Sequence, residues 1–174
     1  MKIPPSIIVL FLLGSIEAAA QNPTVVFSFT VDDYPESRII ESLMDGHRSE
    51  VRFEFRMLRK AKGFRKIFGD KLLAEEERVF VARWDAFDES FIVTVDETTE
   101  HIFSDAISFL NFFLSVNSHR MAVSESLLDD DYLMCRWRIQ PIKLVPPLTL
   151  MTLVKSDLQT NSSWKQTVFE QVNR

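Results

Sequence analysis

Hydrophobic and polar positions alternate most regularly over residues 50–58, where Val51, Phe53, Phe55 and Met57 fall on one side and Arg52, Glu54 and Arg56 on the other. A period of two with one dry and one wet face predicts a strand of an antiparallel sheet that meets solvent on one side. The same period recurs over 78–96, RVFVARWDAFDESFIVTVD: Phe80, Ala82 and Trp84 alternate with Val79, Val81 and Arg83, and Phe91, Val93 and Val95 with Ile92 and Thr94. The turn-forming residues 85–90 between those two runs predict a hairpin, against which the other strands pair. Residues 24–31, bounded by Pro23 and Asp32-Asp33, predict a first strand. Residues 132–140 predict another, with Leu133, Cys135, Trp137 and Ile139 opposite Met134, Arg136, Arg138 and Gln140. After Pro141 and Pro146-Pro147, the apolar run 148–154 predicts a last strand, at an edge.

The period becomes helical in three places. Over 36–45, Ile39, Ile40, Leu43 and Met44 form one stripe, opened by Pro35 and ended by Gly46. Over 104–116, Ala106, Phe109, Leu110, Phe113 and Leu114 form a stripe that Ile107 and Phe112 widen. Ser104 is the expected N-cap, with Asp105 in the first turn. So broad a stripe predicts a helix lying on the sheet; without Lys or Arg on its polar face it is a poor membrane-surface helix. Residues 164–172 predict a short terminal helix packing Trp164, Val168 and Phe169. Residues 96–101 read as a polar turn and 124–131 as a link. Asp129, Asp130 and Asp131 at its end lack the spaced ligands and glycine of a calcium loop, and read as a solvated turn. The elements together predict a β-rich α+β fold: an antiparallel sheet or sandwich of about six to seven strands with one main packing helix.

The first twenty residues read as something other than fold. A short n-region with Lys2 precedes the apolar run 7–13 and a small-residue end at Ala18-Ala19-Ala20. This is the pattern of a secretory signal peptide cut between Ala20 and Gln21. The run is too short for a helix across a ~30 Å hydrocarbon core, which takes about 20 residues, so the membrane is met only through an uncleaved leader. An exported chain, periplasmic or extracellular, with one domain over 21–174 is the expectation.

Composition sharpens this picture in three ways. Fifteen Phe against two Tyr favour burial over a polar ligand face. A net charge of −5 argues against a nucleic-acid partner. Cys135, the one cysteine, has no partner for an internal disulfide and reads as a small buried hydrophobe. His47, His101 and His119 stand apart with no metal-ligand spacing, and no nucleophile elbow, phosphate loop or dinucleotide motif occurs. No cofactor and no enzymatic activity are expected; an enzyme would need a cleft where a histidine and a carboxylate converge. The local feature that stands out is basic: Arg59, Lys60, Lys62, Arg65, Lys66 and Lys71, interleaved with Phe64, Ile67 and Phe68 and punctuated by Gly63 and Gly69. It reads either as a patch for an acidic partner, an anionic lipid head group or a phosphate polymer, or as a solvated hairpin whose positive arm faces Glu75, Glu76 and Glu77.

The order of these features resembles the DUF4390 family, an exported bacterial domain of unknown function. The resemblance rests on ESLMDG running into VRFEFRMLR, then VARWDAFDESFIV, DYLMCRWRI and the proline-containing LVPPLTLMTLV. The tryptophan-rich ending of the family is reduced here to Ser163-Trp164. The family has no defined activity or site, so the resemblance carries no residue roles; it implies secretion and an envelope accessory or sensing role. The functional expectation is a non-enzymatic envelope module acting through a protein partner. The alternative is a carrier or sensor of an apolar, lipid-like ligand held between sheet and helix.

Overall fold

Strand β2 (Ser49–Arg59) is the axis of the fold, because it is hydrogen-bonded along its whole length on both sides. The computed structural model describes residues 22–141 and 159–172. On one side β2 pairs antiparallel with β3 (Lys71–Asp85), on the other with β7 (Asp131–Gln140). The seven-stranded sheet continues outward through β4 (Ser90–Val95) to the edge strand β5 (Thr99–Phe103). Its far side is closed by β8 (Thr160–Asn161) and β9 (Lys165–Thr167), both paired with β7. A second, three-stranded antiparallel sheet carries β1 (Thr24–Thr30) between β6 (Ser115–Ala122) and β10 (Glu170–Val172). The β-rich α+β fold read from alternation is therefore the fold observed.

The alternation of β2 has the physical consequence it announced. Val51, Phe53, Phe55 and Met57 are wholly buried. Phe27 and Phe29 of β1 meet Phe53 and Phe55 edge-on, Phe27 and Phe55 at a centroid distance of 4.8 Å. The opposite face carries a charge ladder across β3 and β7: Arg52 to Glu77 at 2.5 Å, Arg56 to Glu75 at 2.7 Å and Arg136 to Glu54 at 2.5 Å. The arginines facing Glu75 and Glu77 are thus those of β2 itself, not those of the basic stretch beyond it.

Two helices flank the sheet. α1 (Glu36–Met44) buries Ile39 and Leu43, and Gly46 beyond its end takes φ +82°, where a side chain would be strained. α2 (Ala106–Phe113) seals the β4 end with stacked rings, Phe109 on Phe91 at 4.6 Å and Phe112 on Phe80 at 5.6 Å.

Four expectations are corrected. The main helix spans eight residues rather than 104–116, capped by Asp105, which accepts from Ser108 N at 2.8 Å, one residue beyond the expected Ser104. Its last expected turn is instead the start of β6, because Ser115 and Val116 pair with Thr30 and Phe29 of β1. The polar segment 96–101 turns only over Asp96, Glu97 and Thr98, the first two at positive φ, and becomes β5 from Thr99. The terminal helix expected over 164–172 is two short strands, β9 and β10, claimed by open edges of β7 and β1. The leader over 1–20 with its Ala20–Gln21 junction, and the strand expected over 148–154, lie outside the described residues.

Candidate functional site

Beyond the last β2–β3 pair, Arg59 with Lys71, the chain makes an excursion of eleven residues, 60–70. Its centre is a 3-10 turn, Gly63–Phe68, which buries none of its residues. Gly69 closes it at φ +80°, ψ 179°, backbone that only glycine adopts without strain. Its N–H bonds the Lys66 carbonyl at 3.4 Å.

Ions and hydrogen bonds fix the base of this excursion. Asp131, its carboxylate wholly buried, accepts Arg59 Nε at 2.7 Å and Nη2 at 2.9 Å, and takes Leu128 N–H at 2.8 Å. These bonds, that of Arg59 first, hold the Asp131 carboxyl below the usual carboxylate range. Arg59 also reaches Glu125 at 3.1 Å and the Ser126 carbonyl at 2.7 Å, while Lys71 takes the other oxygen of Glu125. Asp70 accepts the Ala61 N–H at 2.9 Å and the hydroxyl of Tyr132. Partial burial and that bond push the Tyr132 hydroxyl up to about 12. Lys62 pairs with Asp130.

The basic patch expected at Arg59, Lys60, Lys62, Arg65 and Lys66 is therefore split. Arg59 and Lys62 are paired with the aspartates read from sequence as a solvated turn, and the Lys60 charge acts on Asp70. Arg65 and Lys66 have no ion pair among the described residues. On the same turn stand Phe64, Ile67 and Phe68, exposed by 80%, 73% and 81%. A groove of about 610 Å³ runs below, with Arg65 and Phe68 on one wall and Leu128 and Asp130 on the other. The interleaving of apolar and basic residues was the sequence signal; that the acids quenching its base come from 125–131 was not visible, since 66 residues separate Arg59 from Glu125.

A second cleft, about 470 Å³, lies between β3, α2 and β6 and holds both His101 and His119. Here a histidine and a carboxylate do converge: His119 Nε2 lies 2.7 Å from Glu76 Oε2. Its Nδ1 lies 3.4 Å from Arg78 Nη1, a group that only donates. Both ring nitrogens are thus engaged. The ring itself is packed beside Phe27 and Phe55 at 5.3 and 5.4 Å. His119 is thus both packed against rings and held at its two ring nitrogens. No cluster of three or more histidine, cysteine or acidic side chains among the described residues is placed to hold a metal ion. Cys135 is buried, and its thiol is pushed up to about 11 by that burial.

In comparison with known proteins, the model of the DUF4390 family, a domain of unknown function, matches residues 11–167. No curated protein and no solved structure matches the chain.

Proposed function

We propose, on the premise that the chain belongs to the DUF4390 family, that the protein is an exported, non-enzymatic docking module of the cell envelope. It engages its target through the β2–β3 tip. One observation carries this reading: three large apolar side chains, each about three-quarters exposed or more, stand together on a turn whose base is locked by the largely buried Arg59–Asp131 pair. Exposing apolar side chains as a group, beside two cations with no ion pair among the described residues, is a feature of contact surfaces. A carrier holding an apolar ligand between sheet and helix has less support, because Phe91, Phe109 and Phe113 stack ring on ring there, and the cleft beside Phe80 and Phe112 is also lined by Arg78, His101, His119 and Arg120.

The test compares two exposed phenylalanines. Phe64 stands on the tip, while Phe87 is 96% exposed in the acidic β3–β4 turn with Asp85, Asp88 and Glu89. A photo-crosslinking residue at position 64, in the native host, is expected to capture an envelope component that position 87 does not. The Phe64→Ser/Ile67→Ser/Phe68→Ser variant is expected to leave the envelope fraction. Undiminished envelope association of that variant overturns the reading.

A further inference from the structure

We propose that the target of the β2–β3 tip is the surface of an anionic phospholipid bilayer, into which Phe64, Ile67 and Phe68 insert while Arg65 and Lys66 meet the phosphates. The inference rests on the docking reading above and names the partner of that same surface.

The shape and size of the tip favour a bilayer over a protein. A stable protein interface takes about 20–30 residues from each side. Here three exposed apolar residues belong to one six-residue turn at the end of a hairpin, and only Leu72 and Leu128, each about half exposed, stand near its base. Aromatic and aliphatic side chains on a projecting turn, with cations beside them, suit the boundary between head groups and acyl chains. A folded partner would have to offer a matching socket.

Charge points the same way. Of the six cations near the tip, Arg59, Lys60, Lys62 and Lys71 lie against Asp131, Asp70, Asp130 and Glu125 at its base. Asp129 lines the adjoining groove with Asp70 and Asp130. Arg65 and Lys66 are left on the turn that carries the apolar residues, which is where lipid phosphates would lie. The acidity of the whole chain opposes approach only weakly, because charges beyond a Debye length of about 10 Å at 0.1 M salt are screened.

The path of the chain supplies an independent argument. Pro23, where the described fold begins, accepts the Val123 N–H at 2.9 Å; the next residue, Ser124, donates to the Leu73 carbonyl at 2.7 Å. The residue after that, Glu125, binds both Arg59 and Lys71 at the root of the tip. The sequence thus enters the fold beside the tip, and its apolar run 7–13 ends only nine residues before Pro23. Before a cut at Ala20–Gln21, that leader would bring this end of the fold to the bilayer first.

The experiment is co-flotation of the full chain with vesicles of phosphatidylcholine alone or with phosphatidylglycerol added, always compared within the same chain so that the N-terminal run contributes equally. The wild type is expected to partition onto the anionic vesicles. Arg65→Gln/Lys66→Gln should lower that partition roughly 25-fold, about fivefold per charge, with little change on neutral vesicles. Phe64→Ser/Ile67→Ser/Phe68→Ser should lower it by roughly tenfold or more on both. A polarity-sensitive dye on Phe64→Cys, selective because Cys135 is buried, should shift to an apolar environment on anionic vesicles. All substituted side chains are exposed, and unchanged thermal unfolding confirms that the variants fold. Equal partition of wild type and variants overturns the proposal. If position 64 then captures an acidic envelope protein in the native host, lipid docking fails while the docking function stands; if it captures nothing, both fail.

Discussion

The Asp131 carboxylate shows how one side chain can decide the geometry of a surface. It ties together the end of β2, the 125–131 segment and the start of β7, through two bonds from Arg59 and one from Leu128 N–H. Asp131→Asn keeps the shape and removes the charge, which should cost about 2 kcal/mol, or roughly 4–8 °C in thermal midpoint, measured by calorimetry. The pH dependence has a definite sign. Asp131 is held below its ordinary range in the folded chain, so as pH falls the unfolded chain takes the proton first. The stability it supplies is present above about pH 4, the ordinary aspartate range, and is lost as pH falls through the folded value. Asp32, Asp70, Asp105 and Glu125 are lowered too, by bonds from Lys165, Ala61 N–H, Ser108 and Lys71 respectively, so their losses add. Acid unfolding curves should therefore steepen below about pH 4, less so in Asp131→Asn; parallel curves would show that the pair contributes nothing. Cys135 has the opposite character. With its thiol buried and pushed up to about 11, it should resist iodoacetamide at pH 8 until the chain is denatured, and rapid labelling of the folded protein would contradict its place in β7.

Elements were legible in the sequence where a single force dominates. β2, β7 and the 78–96 hairpin are read correctly because alternation reflects a sheet with one dry face, and α1 because Pro35 and Gly46 bracket an apolar stripe. The errors fall where a distant partner overrides local periodicity. Leu114 and Val116 continue a helical stripe, yet the open edge of β1, some 85 residues earlier, draws Ser115 and Val116 into a strand. Trp164, Val168 and Phe169 satisfy helical spacing, but Val168 is 88% exposed and Trp164 lies between the guanidinium groups of Arg56 and Arg136, at 4.7 and 4.5 Å. The candidate site was half legible: its apolar and basic residues were recognised, while their sorting into a quenched base and a bare apex depends on acids from another part of the chain. The Trp164 stack gives a direct check on the C-terminal strands. Trp164→Ala removes two cation–π contacts and should cost about 1–2 kcal/mol in urea unfolding, with the slope unchanged. A neutral result would mean that the β9 segment is held by its backbone bonds alone.

At the scale of the molecule, the two sheets are joined by the C-terminal residues as well as by their phenylalanines. β8 and β9 extend the large sheet beside β7, and a few residues later β10 extends the small sheet beside β1. Lys165, on β9, also pairs with Asp32, just past the end of β1. The small sheet thus gathers residues near 24, 120 and 171, so its pairing requires closure of long loops before any contact offsets their entropy. Such a sheet has little stability until the Phe27 and Phe29 rings settle on Phe53 and Phe55, which couples it to β2. Removing residues 160–174 should therefore do more than shorten an edge. It opens β7 and β1 together, strips the Asp32–Lys165 tie, and leaves each of the two strands with an unpaired edge that invites association with other chains. The truncated protein is expected to lose its single cooperative transition and to elute as oligomers in size-exclusion chromatography. Amide exchange would locate the damage, with β1 and β7 losing protection together while the β3–β4 hairpin, whose partners are untouched, retains most of its own. If β1 keeps full protection without residues 160–174, the packing of Phe27 and Phe29 on β2 is sufficient to hold the small sheet.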